Sequence, residues 1–382
     1  MRVVHIATLV SSDGAYGGPV RVATNLAKAL DARGHETELW AGVKGYPRGT
    51  RVFDGARVRL FPARLLMPRL GFATSTARGI LRAVIAERRS IDMLHIHLAR
   101  DLVTLPAALL AKALSIPYVV QTHGMITPKS SPWARVFDLA LTRPALRGAS
   151  TVLYLTPHER SQLQQTDGRL TRLERLVNGI DTETGHRPVP AENSKQCEVL
   201  FMARLHPRKR PVLFVRSARE LLSRGRQARF RVVGPDEGEG PSMLEEIEAS
   251  GRLGQIIYEG PIPPEQTGER LARCDVYVLP SVDEPYPMSV IEAMAQGKPV
   301  VITDSCGIAR QVEAAGAGLV VNSDQDTLTD AIDLLLRDGE SRRRMGRRAR
   351  ALVEQDFDIG AVSERLCRIY SEARGAEKGV EL

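Results

Sequence analysis

Short apolar, β-branched runs alternate with longer amphipathic stretches along this chain, and that alternation restricts the fold more than any other feature. VVHIATL (3–9) is followed by a helical pattern over 20–33 and MLHIH (93–97) by another over 102–115; then come YVVQTH (118–123), TVLYL (151–155) and RLVNGID (175–181). Strands covered on both faces by crossover helices read as unbroken apolar runs. The first ~180 residues therefore predict a parallel, doubly wound α/β sheet. A second series starts after a polar, proline-containing stretch at 182–196. It comprises EVLFMARL (198–205), a helix near 212–223, ARFRVVG (228–234), QIIYEG (255–260), CDVYVLP (274–280), a helix near 290–296 and PVVIT (299–303). The pattern predicts an N-terminal domain over 1–181, a linker over 182–196 and a C-terminal domain over 197–355. Both are Rossmann-like, and because ligands of open α/β sheets collect at strand carboxyl ends, the two are expected to face each other across a cleft.

The length, 382 residues, allows two or three domains, and 43% hydrophobic residues exclude a disordered chain. Basic residues outnumber acidic ones by 53 to 45, and 45 of the basic residues are arginine. The excess favours anionic partners, whether phosphorylated metabolites, anionic lipid or nucleic acid, without choosing among them. Cys197, Cys274, Cys306 and Cys367 form no CxxC pair. Neither a zinc site nor a tight disulfide framework is indicated, and a reducing cytosol is the expected setting. MRVVHIATLV reads as a first strand rather than a signal peptide. The longest apolar region, 102–120, is interrupted by Pro106, Lys112 and Pro117, so no transmembrane helix is expected. The arginine-dense SRRRMGRRARALVEQ (341–355) reads as a solvated helix face.

The strongest chemical signal is PSVDEPYPMSVIEAMAQGKPVV (280–301). It runs from a strand end through a loop carrying Glu284 into a helix carrying Glu292, which places one carboxylate ahead of the helix and one about a turn inside. The helix start, Met288, Ser289 and Val290, presents unpaired N–H groups and the positive dipole end, a natural seat for a diphosphate. Arg204 and Lys209 follow the strand EVLFMA and emerge at its carboxyl end, where two cations can neutralise an anionic ligand. Arg208 and Arg210, beside them, read as surface. Gly17 and Gly18 sit in the loop between the first strand and first helix, where glycine lets backbone N–H groups approach a phosphate. His123 follows YVVQT at a strand end. His95 and His97 share one strand face and read as residues of the core edge or of an acceptor side. With two cations at hand for an anionic ligand, no metal is expected.

The E-x7-E spacing of Glu284 and Glu292, with GGP at 17–19, THG at 122–124 and ARLHPRK at 203–209 in that order, resembles the retaining GT-B glycosyltransferases of family four, also called group 1. The resemblance spans essentially the whole chain. It implies that Glu292 binds the ribose of a nucleotide sugar, that Glu284 contacts donor-sugar hydroxyls, that Arg204 and Lys209 hold the diphosphate, that His123 contacts the sugar, and that Gly17 and Gly18 touch donor phosphate or acceptor. It also implies a C-terminal helix over 356–382 that crosses back to the N-terminal domain. No cofactor is expected, only a nucleotide diphosphate sugar as co-substrate, with UDP and GDP left open. The acceptor would be a saccharide or a lipid-linked saccharide in surface polysaccharide or glycolipid assembly at the cytoplasmic face of a membrane.

One departure stands out. Relatives often carry Gly-Phe-Gly after the first glutamate, whereas this chain has Pro285, Tyr286 and Pro287, which removes two backbone donors and leaves donor-sugar identity open. The segment 57–89, rich in both arginine and large apolar residues, reads as an amphipathic helix packed on the sheet, with an anionic membrane surface as the alternative. A nucleotide-sugar epimerase and a non-catalytic nucleotide-sugar or anionic-lipid binder are the competing functional readings. A Rossmann oxidoreductase lacks its GxGxxG, and no nucleic-acid module is recognisable.

Overall fold

A computed structural model describes residues 1–11, 17–46, 49–67, 73–128, 132–182, 196–263 and 266–378. The linker expectation at 182–196 falls almost wholly outside these residues. In chain order the elements begin with β1 (Arg2–Ser11), α1 (Gly17–Ala32), β2 (Glu36–Lys44), β3 (Val52–Phe53), β4 (Ala56–Pro62), β5 (Arg64–Leu65), β6 (Ser75–Thr76), α2 (Arg78–Glu87), β7 (Met93–His97) and α3 (Thr104–Ala113). They continue with β8 (Tyr118–Gln121), α4 (Pro132–Phe137), a π-helical turn (Asp138–Thr142), α5 (Arg143–Gly148), β9 (Thr151–Tyr154), α6 (Pro157–Thr166) and β10 (Leu173–Arg175). Next are β11 (Cys197–Met202), a 3-10 turn (Pro207–Lys209), α7 (Pro211–Ser223), β12 (Ala228–Val233), α8 (Gly240–Ala249), β13 (Ile256–Gly260), α9 (Thr267–Arg273) and β14 (Val276–Leu279). The chain closes with α10 (Met288–Ala295), β15 (Val300–Thr303), α11 (Ala309–Ala315), β16 (Gly318–Val321), α12 (Gln325–Arg337), α13 (Gly339–Asp356) and α14 (Ile359–Lys378).

Two compact units result. One comprises Met1–Gly179 with Ile359–Leu382, the other Ile180–Asp358. The sheet of the second unit runs β13-β12-β11-β14-β15-β16, every pair parallel, so its first strand lies inside and the order reverses between β11 and β14. That is the Rossmann order. The sheet of the first unit runs β10-β9-β8-β7-β1-β2-β4-β3, with its reversal between β1 and β7 and only the short edge strand β3 antiparallel. The central strands β7, β8, β14 and β15 are buried at every residue, as their continuous apolar runs require.

Each face of the first sheet has its own core. On one side α2, α3 and α5 cover Ile6, Leu94, Ile96 and Val120; on the other, α1 and α14 cover Val3, Met93, Val119 and Leu153 with Val22, Leu26, Leu30, Val362, Leu366, Ile369 and Tyr370. The packing of α14 is close. A Cβ on Gly179 would lie 2.8 Å from the Ile359 Cα.

Three local expectations need correction. RLVNGID is not a strand: β10 is Leu173–Arg175, and the chain then leaves the sheet past Gly179. The 57–89 segment is not one helix. The first four residues of ARVRLFP alternate buried and exposed along β4, Pro62 ends that strand, β5 pairs with β6, and among the described residues the α-helix is Arg78–Glu87. Gly17 and Gly18 open α1 instead of lying in the preceding loop, and a Cβ on Gly18 would meet nothing within 4 Å, so space does not demand glycine there. The arginine run also does more than meet solvent. Arg350 donates to the carbonyls of Ala295 (2.6 Å) and Thr182 (2.9 Å), and Arg342 to that of Leu336 (3.1 Å), while Arg343, Arg344, Arg347 and Arg348 are exposed.

Candidate functional site

In the second unit, β11 and β14 flank the reversal of strand order, and the loops leaving their carboxyl ends carry most of the residues singled out above. The loop after β14 is fastened on two sides. Val282 N–H donates to the Arg208 carbonyl (3.0 Å), Asp283 N–H to Ser305 Oγ (3.1 Å), and Gly307 N–H to the Glu284 carbonyl (2.8 Å). These bonds turn the Glu284 side chain inward, where it is 7% exposed. Its carboxylate accepts from the Lys209 ammonium and from Arg208 Nη2 at 3.3 Å.

The cations are distributed differently from expectation. Lys209 and the flanking Arg208, not Arg204, converge on Glu284. Arg204 Nη1 instead donates to both carboxylate oxygens of Glu237, at 2.7 and 2.9 Å, on the surface, an ion pair worth at most about 1 kcal/mol and readily exchanged for another anion. Arg210 donates to the Ser323 carbonyl at 2.6 Å, which ties it into the fold. Close backbone approach beside Arg204 demands a glycine: a Cβ on Gly234, whose φ is +145°, would lie 1.9 Å from the Ala203 carbonyl oxygen.

Helix α10 begins just beyond the loop. Pro287 precedes it, and its carbonyl accepts from Val290 N–H at 3.1 Å and Ile291 N–H at 3.3 Å. Of the three residues expected to offer amides, Val290 is thus turned back into the chain, and Met288 and Ser289 form the outward first turn. Tyr286 is buried with its ring edge toward Phe357, so the proline-flanked loop is anchored by an aromatic side chain. Glu292 is half-buried in α10.

Sequence reasoning passed over Tyr277. Its hydroxyl donates to the Met202 carbonyl (2.8 Å) at the end of β11 and lies 2.7 Å from Ser289 Oγ, joining the strand end to the helix start. Burial pushes this phenol far above its ordinary pKa, with the Glu292 charge adding to the effect, so it stays protonated. A tyrosine inside the apolar run CDVYVLP was the available signal, since a buried phenol needs a partner. Cys306 lies near Glu284 and Lys209, but burial raises its thiol to about 12, which removes it as a nucleophile at neutral pH.

In the first unit, His123 leaves the end of β8 with φ +50°, and Gly124 follows at +71°. Glu159 of α6, 2% exposed, holds this bend by accepting from Thr122 Oγ1 (2.5 Å), Gly124 N–H (2.5 Å) and Leu155 N–H (2.6 Å). His123 Nε2 lies 2.8 Å from His97 Nδ1, and His97 Nε2 lies 3.2 Å from His5 Nδ1. His95 belongs to the core: its Nδ1 meets the Tyr370 hydroxyl at 2.7 Å and its Nε2 meets Gln121 Oε1 at 3.2 Å. Burial lowers the pKa of His5 to about 3 and those of His95 and His97 well below the usual value, and half-buried His123 shifts the same way. His5, His95 and His97 bring ring nitrogens within 4.8 Å of one another. Most of these nitrogens already face partners: His5 Nδ1 and His97 Nε2 face each other, His97 Nδ1 faces His123, and His95 faces Tyr370 and Gln121, so a metal would have to displace these contacts.

The whole chain has the fold of the GT-B proteins. The sucrose-phosphate synthase of Thermosynechococcus elongatus superposes with a TM-score of 0.78 at 20% identity, covering 98% of this chain and 99% of that one. Anabaena Alr3699/HepE in complex with UDP superposes at 0.77 and 17% identity, covering 97% and 100%. Two family models match: "Glycosyl transferase 4-like domain" over 17–179 and "Glycosyl transferases group 1" over 183–352. The chain belongs to the group 1 glycosyl transferases.

Among curated relatives, a D-inositol 3-phosphate glycosyltransferase of Kineococcus radiotolerans is 28% identical over 99% of this chain and 96% of that protein. The alpha-D-kanosaminyltransferase of Streptomyces kanamyceticus is 28% identical over 69% and 72%. A D-inositol 3-phosphate glycosyltransferase of Nocardia farcinica is 35% identical over 48% of this chain, and that match spans only 43% of the relative. Among the described residues no helix is long and apolar enough to cross a membrane.

Proposed function

We propose that this chain is a retaining glycosyltransferase that moves a sugar from a nucleotide diphosphate sugar to a hydroxyl of a saccharide or lipid-linked acceptor. The observation that carries the reading is the convergence of buried Glu284 with Lys209 and Arg208 at the strand-order reversal of a Rossmann sheet. Such a reversal is where this sheet class binds nucleotides. Lys209 and Arg204 take the diphosphate, the first-turn amides of α10 support it, Glu292 accepts from the ribose hydroxyls, and Glu284 accepts from the sugar. His123 of the first unit contacts the donor sugar on the acceptor-binding side.

In the reaction the bond between the anomeric carbon and the phosphate oxygen breaks, its electron pair leaving with the diphosphate. The acceptor oxygen bonds to the same face of that carbon, and its proton passes to the departing phosphate. Positive charge placed where negative charge grows stabilises the transition state more than the ground state. These roles need no protein-bound metal.

The test is release of nucleoside diphosphate from UDP- and GDP-sugars with and without acceptors, phosphorylated polyols among them because inositol 3-phosphate enzymes are relatives. Product with the donor's anomeric configuration, formed only with acceptor and lost in Glu292→Ala, is expected. Conversion of the donor to its epimer without acceptor would replace transfer by epimerisation. A donor that binds without turnover would leave a binding protein.

We further propose that the β5–β6 hairpin touches an anionic membrane surface. What supports this is an exposed trio, Leu65, Leu66 and Met67, between 46% and 52% accessible and adjoining exposed Arg64, with Arg78 and Arg82 exposed on the following helix. Wild type is expected to sediment with vesicles containing phosphatidylglycerol and Leu66→Asp to stay in solution. Equal sedimentation of the two would rule the hairpin out.

A further inference from the structure

We propose that His97, backed by His5, fixes the tautomer of His123, so that His123 presents an N–H donor at Nδ1. The use made of that donor rests on reading His123 as a sugar contact; the tautomer itself does not. A neutral imidazole has one N–H and one lone pair. The row runs from His5 Nδ1 to His97 Nε2 at 3.2 Å and from His97 Nδ1 to His123 Nε2 at 2.8 Å. With each ring neutral, both contacts must point the same way.

Two arrangements satisfy this. In one, every proton sits on Nδ1: His5 donates to His97, His97 donates to His123, and His5 Nε2 is left as a lone pair. In the other, every proton sits on Nε2, His123 Nδ1 is a bare acceptor, and His5 Nε2–H is left as a donor. His5 is 0% exposed, and its Nε2 has no partner among the described residues. A buried N–H without an acceptor is rarer and costlier than a buried acceptor with a spare lone pair. The far end of the row therefore selects the first arrangement, and His123 faces substrate as a donor. His95 cannot divert the row, because Tyr370 and Gln121 already occupy its two nitrogens. His97 is thus a positioning residue, and His123 is suited to bonding a hydroxyl oxygen, not to removing a proton from it.

Ring-nitrogen NMR on the full chain labelled with 15N-histidine tests this, with His123→Ala used to assign its signals. A protonated-type shift at His123 Nδ1 and an unprotonated one at Nε2 are expected in wild type. In His97→Ala the two nitrogens are expected to average or exchange roles, and turnover to fall about tenfold at nearly unchanged donor KM, equivalent to about 1.4 kcal/mol. His97→Asn, whose amide N–H can replace the lost donor, is expected to restore both. A wild-type His123 protonated on Nε2, or one indifferent to His97→Ala, overturns the proposal, and the wild-type spectrum decides even if a variant fails to fold. Normal turnover in His123→Ala would remove the sugar-contact reading while leaving the tautomer assignment intact.

Discussion

On the proposed reading, Glu284 would compete with an incoming diphosphate for Lys209 and Arg208, which it pairs in the structure. Its carboxylate neutralises Lys209 and Arg208 in the ligand-free chain, and both Glu284 and Lys209 are largely removed from solvent. Removing one member of such a buried pair leaves the other uncompensated, at about 3 to 5 kcal/mol. Lys209→Ala is therefore a poor probe of function, since it threatens the fold. Glu284→Gln also takes the counter-charge from Lys209, but it keeps the shape and an amide oxygen that can still accept from the ammonium, so it perturbs the fold less and its urea unfolding is measured alongside. We expect it to bind nucleoside diphosphate several-fold more tightly in calorimetry while turning over the nucleotide sugar at least tenfold more slowly. Weaker diphosphate binding by this variant would refute the competition. On the proposed roles the two effects separate, because the freed cations would favour phosphate in the ground state, whereas the carboxylate would be needed only for the sugar.

At the scale of elements, the bend after β8 depends on one residue of α6. Glu159 accepts three hydrogen bonds there, from Thr122, Gly124 and Leu155. In Glu159→Gln one oxygen becomes an NH2 group that faces a donor, and we expect a loss of about 1 to 3 kcal/mol in denaturant unfolding. Unchanged stability would show that the bend holds itself. The strands and the E-x7-E loop were legible because apolar runs and the residues that end them are local features. The Glu159 clamp and the histidine row were not. Glu159 lies 35 residues from Gly124 and His5 lies 92 from His97, and no periodicity links residues so far apart. The 57–89 segment misled for the opposite reason: its mixed arginines and leucines fit a helical pattern over a long window, but the alternation in β4 covers only its first four residues.

For the molecule as a whole, buried neutral histidines set an acid limit. His5, His95 and His97 are held below the usual histidine pKa when folded, so below about pH 6.5 the unfolded chain binds protons that the folded chain refuses. Stability then falls as pH drops, by about 1.4 kcal/mol per pH unit for each histidine, until the folded values are approached. The stability of the first unit to urea is expected to be clearly lower at pH 5 than at pH 7, with proton uptake on unfolding by His5, His95, His97 and His123. Equal stability at the two pH values would show that these histidines are charged or accessible in the native state.

The chain order of the first unit has a consequence for its manufacture. Its sheet is finished by α14, which follows 179 residues belonging to the second unit, Ile180–Asp358. At ordinary synthesis speeds the ribosome needs roughly 10 to 40 s to cross that interval. Throughout it, the face formed by Val3, Met93, Val119 and Leu153 lacks Val362, Leu366, Ile369 and Tyr370. The second unit is continuous and has its full sequence first, so the half of the protein that is translated earliest is the last to be completed. For that interval the nascent chain carries an apolar face whose partners have not yet been made.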